Sequence, residues 1–186
     1  MKRTLILIIS LLVLGFMCLT ACSNDVEGDV AEKDNKEDAD EKAEEKEYSA
    51  PDFTVYTTDG EAVTLHESFG KPLVVNFWAT WCPPCKAEMP DFDELYKEYG
   101  DRVDFMMVNL TDGNRDTVAA VKDFIAEKGY SFPVYCDSDM TASYFYGVQS
   151  IPTTVFFDAD GNIITTNVGM MSREALSEML RKMTEE

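Results

Sequence analysis

From Pro51 onward the apolar positions of this chain fall into two kinds of pattern. Short runs of branched and aromatic residues predict strands; three- and four-residue spacings predict helices. Leu73-Val74-Val75-Asn76-Phe77-Trp78 holds a single polar residue, which suits a central strand covered on both faces. Lys86 to Tyr99 then places Met89, Phe92, Leu95, Tyr96 and Tyr99 on one stripe of a helix, with Pro90 inside it predicting a kink. Upstream, Phe53–Tyr56 and Val63–Leu65 flank Asp59-Gly60 and read as a hairpin. Downstream, Val103–Leu110 is a strand and Asp112-Gly113-Asn114 a turn. Val118, Val121, Phe124 and Ile125 mark a helix ended by Gly129. Phe132–Tyr135 is a short strand, and Ala142–Tyr146 a short helix before Gly147. Thr153–Phe157 and Ile163–Thr166 meet across Asp160-Gly161 as an antiparallel pair. Ser172–Met183 closes the chain as a helix capped by Ser172, with Ala175, Leu176, Met179, Leu180 and Met183 facing inward. The alternation predicts an α/β fold, a mixed sheet covered by helices.

The first 49 residues follow neither pattern. Lys2 and Arg3 precede the mostly apolar stretch Leu5–Cys18, and Leu19-Thr20-Ala21-Cys22 follows, so residues 1–21 read as a signal peptide. Its end looks like a bacterial lipobox, which makes Cys22 the expected lipid acceptor and mature N-terminus. Residues 22–49 carry 12 Asp/Glu against four Lys, with no Ile or Leu. Such a stretch buries too little apolar surface to fold alone and reads as an acidic tether. Residues 50–186 then form one domain large enough for a real core. The formal net charge of -19 argues against nucleic-acid binding.

The candidate chemistry lies where the central strand meets its helix, at Trp81-Cys82-Pro83-Pro84-Cys85. Two cysteines two residues apart are able to close a small disulfide ring. The first would sit at the helix end, where free N–H groups and the helix dipole stabilise a thiolate. Dithiol–disulfide exchange is therefore the leading reading. A purely stabilising disulfide makes poor sense, because so small a ring constrains little chain. A structural zinc needs two more soft ligands, and only Cys136 and His66 remain, both far away in sequence. We expect Cys136 to be a buried small hydrophobe, with an accessory redox or regulatory thiol, or a route to intermolecular disulfides, as the alternatives. His66 is expected to have a surface or local structural role.

Residues 72–90, Pro-Leu-Val-Val-Asn-Phe-Trp-Ala-Thr-Trp-Cys-Pro-Pro-Cys-Lys-Ala-Glu-Met-Pro, resemble the active-site segment of a thioredoxin-fold protein. Together with Pro51-Asp52-Phe53, Gly147–Thr154 and Asp158-x-Asp160-Gly161, they most resemble the membrane-anchored, extracytoplasmic thiol–disulfide oxidoreductases of the TlpA/ResA type. The resemblance covers about residues 50 to 184 and implies a thioredoxin-like sheet with an N-terminal hairpin and a helix-strand insertion near Asn114–Tyr135. It implies that Cys82 is the more exposed, attacking thiol and Cys85 the resolving one. Pro152, after Ile151, would be cis and pack beside the disulfide. Glu88 would lie near the pair and tune thiol protonation. Asn76 stands where plain thioredoxins carry a buried aspartate, so proton handling would shift to Glu88, water or the thiols. Trp81 would pack over the disulfide, Trp78 would be core, and Pro83 and Pro84 would stiffen the junction.

The function so implied is that of a lipid-anchored oxidoreductase on the extracytoplasmic face of a bacterial membrane, without cofactor or metal. It would reduce disulfides of exported proteins such as apocytochrome c and be re-reduced by a membrane thiol transporter of the CcdA/DsbD kind. Electron donation to an extracytoplasmic methionine sulfoxide reductase and disulfide formation are alternatives within the same chemistry. A copper- or haem-delivery module is the alternative from a different class.

Overall fold

The computed structural model describes residues 48–185. The expected signal peptide, the lipid acceptor Cys22 and nearly all of the tether lie outside them. The elements run β1 (Thr54–Thr57), β2 (Ala62–Thr64), a 3₁₀ turn (His66–Ser68), β3 (Leu73–Trp78), α1 (Pro83–Tyr99), β4 (Asp104–Asn109) and α2 (Val118–Lys128). Then follow β5 (Val134–Cys136), α3 (Thr141–Phe145), β6 (Thr153–Phe157), β7 (Ile163–Val168) and α4 (Arg173–Thr184). Seven strands form one sheet in the order β2-β1-β5-β4-β3-β6-β7. β3 runs parallel to β4 and antiparallel to β6, with Leu73 opposite Phe157 and Phe77 opposite Thr153.

Every side chain of β3 is buried, and its two faces feed two cores. Val74 and Trp78 join the core beneath α1, α2 and α4, with Met89, Phe92, Leu176 and Leu180. Leu73, Val75 and Phe77 point the other way, into a core with Phe53, Val55, Leu65, Ala142 and Phe157. Alternation along a strand thus places Asn76 on the α1 side, among apolar neighbours. The expected fold class and hairpins are present, and the N-terminal hairpin joins the sheet through β1 and β5.

Several expected boundaries shift. α1 begins at Pro83 rather than Lys86, because Pro83 and Pro84 occupy the first turn, where a missing N–H leaves nothing unsatisfied. The helix continues through Pro90 to Tyr99. β5 starts after Pro133 and reaches Cys136, and β7 runs on to Val168. Two residues expected to face inward do not. Ala175 is exposed on α4, where Leu176, Leu180 and Met183 alone fill the buried stripe, and Val118 at the start of α2 is exposed too.

The described chain enters at one pole of the sheet. The Tyr48 ring lies 4.5 Å from that of His66 and 4.9 Å from that of Phe69, and the Ala50 carbonyl is 2.8 Å from His66 Nε2. His66 thus has the local structural role expected of it. Gly161, in the β6–β7 turn, has φ +84, and a Cβ there would meet the Phe69 and Tyr48 rings at 2.6 and 2.8 Å. Only glycine fits both the backbone and the space.

Asp93 fastens α1 to the loop before β5. Its buried carboxylate accepts from Lys97 Nζ at 2.5 Å, the Ser131 N–H at 2.6 Å and the Ser131 hydroxyl at 2.8 Å. Asp93→Ala leaves the Ser131 donors without their acceptor. It is expected to lower stability by about 2 kcal/mol. Urea denaturation checks this, and a midpoint equal to the wild type's would show that water replaces the carboxylate without loss.

Candidate active site

Ala79, Thr80 and Trp81 carry the chain from the end of β3 to Cys82, the N-cap of α1. The loop is tight: the Cys82 N–H donates to the Ala79 carbonyl at 3.1 Å. Cys82 and Cys85 are joined in a disulfide with Cα atoms 5.3 Å apart. The Cys85 N–H donates to Cys82 Sγ at 3.2 Å, so the sulfur caps the helix in the way a serine oxygen would. A thiolate released at Cys82 would meet that N–H and the positive end of a 17-residue helix.

Cys82 is 3% exposed and Cys85 fully buried. The order of exposure is the expected one, but Cys82 is far less open than its position outside the helix suggests. Its neighbours Trp81, Pro83 and Pro84 take the solvent instead, while the Ile151 carbonyl lies 3.7 Å from its sulfur. The Ile151-Pro152 peptide is cis and stands beside the disulfide, as the resemblance implied.

Glu88 lies one turn beyond Cys85 and is 2% exposed. Asn76 Nδ2 donates to Glu88 Oε1 at 3.0 Å and to Thr154 Oγ1 at 3.0 Å. The Met171 N–H donates to Glu88 Oε2 at 3.0 Å. Burial raises the Glu88 carboxyl from 4.5 to about 7, against the opposing pull of the Met171 and Asn76 hydrogen bonds. Asn76 Oδ1 is buried without a hydrogen-bond partner. The amide therefore donates twice, once to Glu88 and once to Thr154. A protonated Glu88 would be better matched by the amide turned over, with Oδ1 accepting from both the carboxyl and the Thr154 hydroxyl.

Trp78 is fully buried, 5.7 Å from the Phe124 ring, as a core residue should be. Trp81 is 37% exposed, and the Arg115 guanidinium lies 3.7 Å from its ring centroid. Both residues line a groove of about 200 Å³ with Leu110, Met140, Val148 and Ile151. Cys136 is a buried free thiol, and burial pushes it above the ordinary range. This agrees with the small-hydrophobe reading. Arg115, Thr154, Met171 and Asp116 were not legible in advance. Each reaches the site from a distant stretch of chain, and only Thr154 lies in a segment the resemblance marked, where its contact with Asn76 gave no sign.

The family model described as Redoxin matches residues 44–182. The thiol-disulfide oxidoreductase ResA of Bacillus thuringiensis is 35% identical over 136 residues, spanning 73% of this chain and 76% of that protein. The sporulation thiol-disulfide oxidoreductase A of Bacillus subtilis is 34% identical over 139 residues, spanning 74% and 83% of the two chains. Among solved structures, the pneumococcal exposed lipoprotein thioredoxin of Streptococcus pneumoniae superposes with a TM-score of 0.63 and 32% identity, over 71% of this chain and 99% of that one.

Proposed function

Because the chain belongs to the Redoxin family and is a thiol–disulfide oxidoreductase, we propose that it is a reductant of disulfides in exported proteins, held to the outer face of the cell membrane through a lipid on Cys22. The observation that carries the redox role is the Cys82–Cys85 disulfide at the mouth of α1, with Cys82 Sγ accepting a helix N–H. The lipobox-like Leu19–Cys22 and the similarity to an exposed lipoprotein thioredoxin support the anchor. On this reading residues 1–21 are removed and 22–49 tether the domain.

In the reduced protein the Cys82 thiolate attacks one sulfur of a client disulfide. The client S–S bond breaks, a Cys82–client mixed disulfide forms, and the departing client thiolate takes up a proton. Cys85 then loses its proton and attacks Cys82 Sγ. The mixed disulfide breaks, the second client thiolate leaves, and the internal disulfide closes. Two electrons have passed to the client, and its second thiolate, like the first, takes up a proton from solvent. Glu88, poised near neutrality by burial, accepts the Cys85 proton in that second step. Ile151 and Pro152 shape the client's side of the disulfide. A membrane thiol transporter of the CcdA/DsbD kind restores the dithiol, and apocytochrome c or a methionine sulfoxide reductase is the exported client.

The reduction potential of the Cys82–Cys85 pair tests the direction. The scale runs from about -270 mV for a reducing thioredoxin to about -120 mV for a strong oxidant. We expect a value below roughly -220 mV. A value above roughly -160 mV would overturn the reductant role in favour of disulfide formation.

A further inference from the structure

We infer that Asp116 is a positioning residue for the active-site loop, gripping Thr80 so that the Trp81-Cys82 step stays at the mouth of α1. The inference rests on Cys82 being the attacking thiol. Asp116 is fully buried, in the segment between β4 and α2. Its Oδ2 accepts the Thr80 N–H at 2.8 Å, and its Oδ1 accepts the Thr80 hydroxyl. The same Oδ2 accepts Asn109 Nδ2 at 2.9 Å, which ties the carboxylate to the end of β4. Asn109 is itself fixed, its Oδ1 taking the Thr111 hydroxyl at 3.0 Å.

The turn that carries Asp116 is built to hold it. Asp112 Oδ1 accepts the N–H groups of Asn114, Arg115 and Asp116 at 2.9, 2.7 and 3.2 Å. The Gly113 N–H donates to the Asp116 carbonyl at 2.9 Å. Asp112 also pairs with Arg115 Nε at 3.2 Å, and the Arg115 guanidinium covers Trp81. One short turn therefore grips two consecutive loop residues, Thr80 from inside and Trp81 from outside. The three donors to this buried carboxyl, the Thr80 N–H and hydroxyl and the Asn109 amide, are all neutral, so among the described residues it is not half of an ion pair. Hydrogen bonds to a buried carboxylate are strong and directional, which suits a fixing role.

The chemical consequence runs through Cys82. Its sulfur is stabilised as thiolate only while it faces the Cys85 N–H and the helix end. A loop freed at Thr80 lets the sulfur leave that position, and the thiolate becomes harder to form. Charge alone predicts the reverse, since deleting a nearby carboxylate makes a thiolate easier to form. The sign of the change therefore separates positioning from charge.

The test is the pH profile of Cys82 alkylation by iodoacetamide in the reduced full-length protein, followed by mass spectrometry. Asp116→Ala is expected to slow alkylation at pH 7 about tenfold and to move the profile's midpoint upward by about one pH unit. Asp116→Asn keeps an oxygen for the Thr80 N–H and Asn109, and its amide faces the Thr80 hydroxyl as donor. It is expected to stay within about twofold of the wild type. A folded Asp116→Ala protein with the wild-type profile would overturn the inference and leave Asp116 a purely structural residue. Should that variant fail to fold, Thr80→Val loses the hydroxyl contact alone. An upward shift there supports the grip, and an unchanged profile overturns it. Were Cys82 not the attacking thiol, the wild type itself would show no preferential alkylation at that residue.

Discussion

Cys85→Ser is expected to turn the protein from a catalyst into a covalent trap. Attack by Cys82 on a client disulfide still proceeds, because the Cys85 N–H that caps the sulfur belongs to the backbone and survives the substitution. What is lost is the second attack. The serine hydroxyl does not displace a thiolate, so the Cys82–client disulfide persists. Turnover in a dithiothreitol-coupled insulin reduction assay should fall by roughly 10³-fold or more. With a disulfide client and no dithiothreitol present, adducts that later dithiothreitol cleaves should accumulate on non-reducing gels. Cys82→Ser should lose turnover equally and form no adduct. Cys136→Ala should change neither readout, since Cys136 is fully buried on β5. Adducts in the Cys82→Ser protein would show that Cys85 or Cys136 reaches clients directly, and the assigned order of attack would then be wrong.

The second large effect concerns Glu88 and pH. Its carboxyl is raised by burial from 4.5 to about 7. Between those values the folded protein holds a proton that the unfolded chain has released. The stabilisation is therefore complete below about pH 4.5, declines as pH rises through 7, and is gone above it. The span corresponds to about 3 kcal/mol. Glu88→Gln removes the titration and, with it, this decline. The oxidised protein is the right sample, because its active-site sulfurs do not titrate. Urea denaturation at pH 5 and pH 8 should show a wild-type loss about 3 kcal/mol larger than that of the Gln variant. Parallel losses would mean that Glu88 ionises with its ordinary affinity. In turnover the same substitution should flatten the limb near pH 7, as the proposed transfer of the Cys85 proton to Glu88 requires.

These two effects differ in how much of them could be read in the chain. The cysteine spacing, the strand before it and the apolar stripe after it are local patterns, so the position of Cys82 and Cys85 at a strand-to-helix junction was open to reading. So was Glu88 as a near neighbour, because three residues along a helix is a local distance. Its burial was not, since that needs α4 and the Met171 N–H, which lie 83 residues further on. Asn76 advertised itself as one polar residue in an apolar strand. Its partners Glu88 and Thr154 lie 12 and 78 residues away and are joined to it by sheet register and packing. Asp116 gave no sign, because an aspartate after a turn normally faces water. The helix start was misplaced because two prolines resemble a breaker until the sulfur cap is seen. Ala175 and Val118 were misplaced for the opposite reason, since periodicity marks an apolar face without saying how wide it is.

The chain enters the domain beside the β6–β7 turn, where Tyr48 meets Phe69 and Gly161. That turn follows Phe157, which pairs with Leu73 at the far end of β3 from the disulfide. Entry point and dithiol thus stand at opposite poles, separated by about 17 Å of strand alone. Were the protein fastened through its N-terminus, as proposed, the described chain would enter the domain at the pole opposite its dithiol. A soluble client would find the sulfurs facing it. One dithiol at one pole would then have to serve both the proposed client and the proposed electron donor.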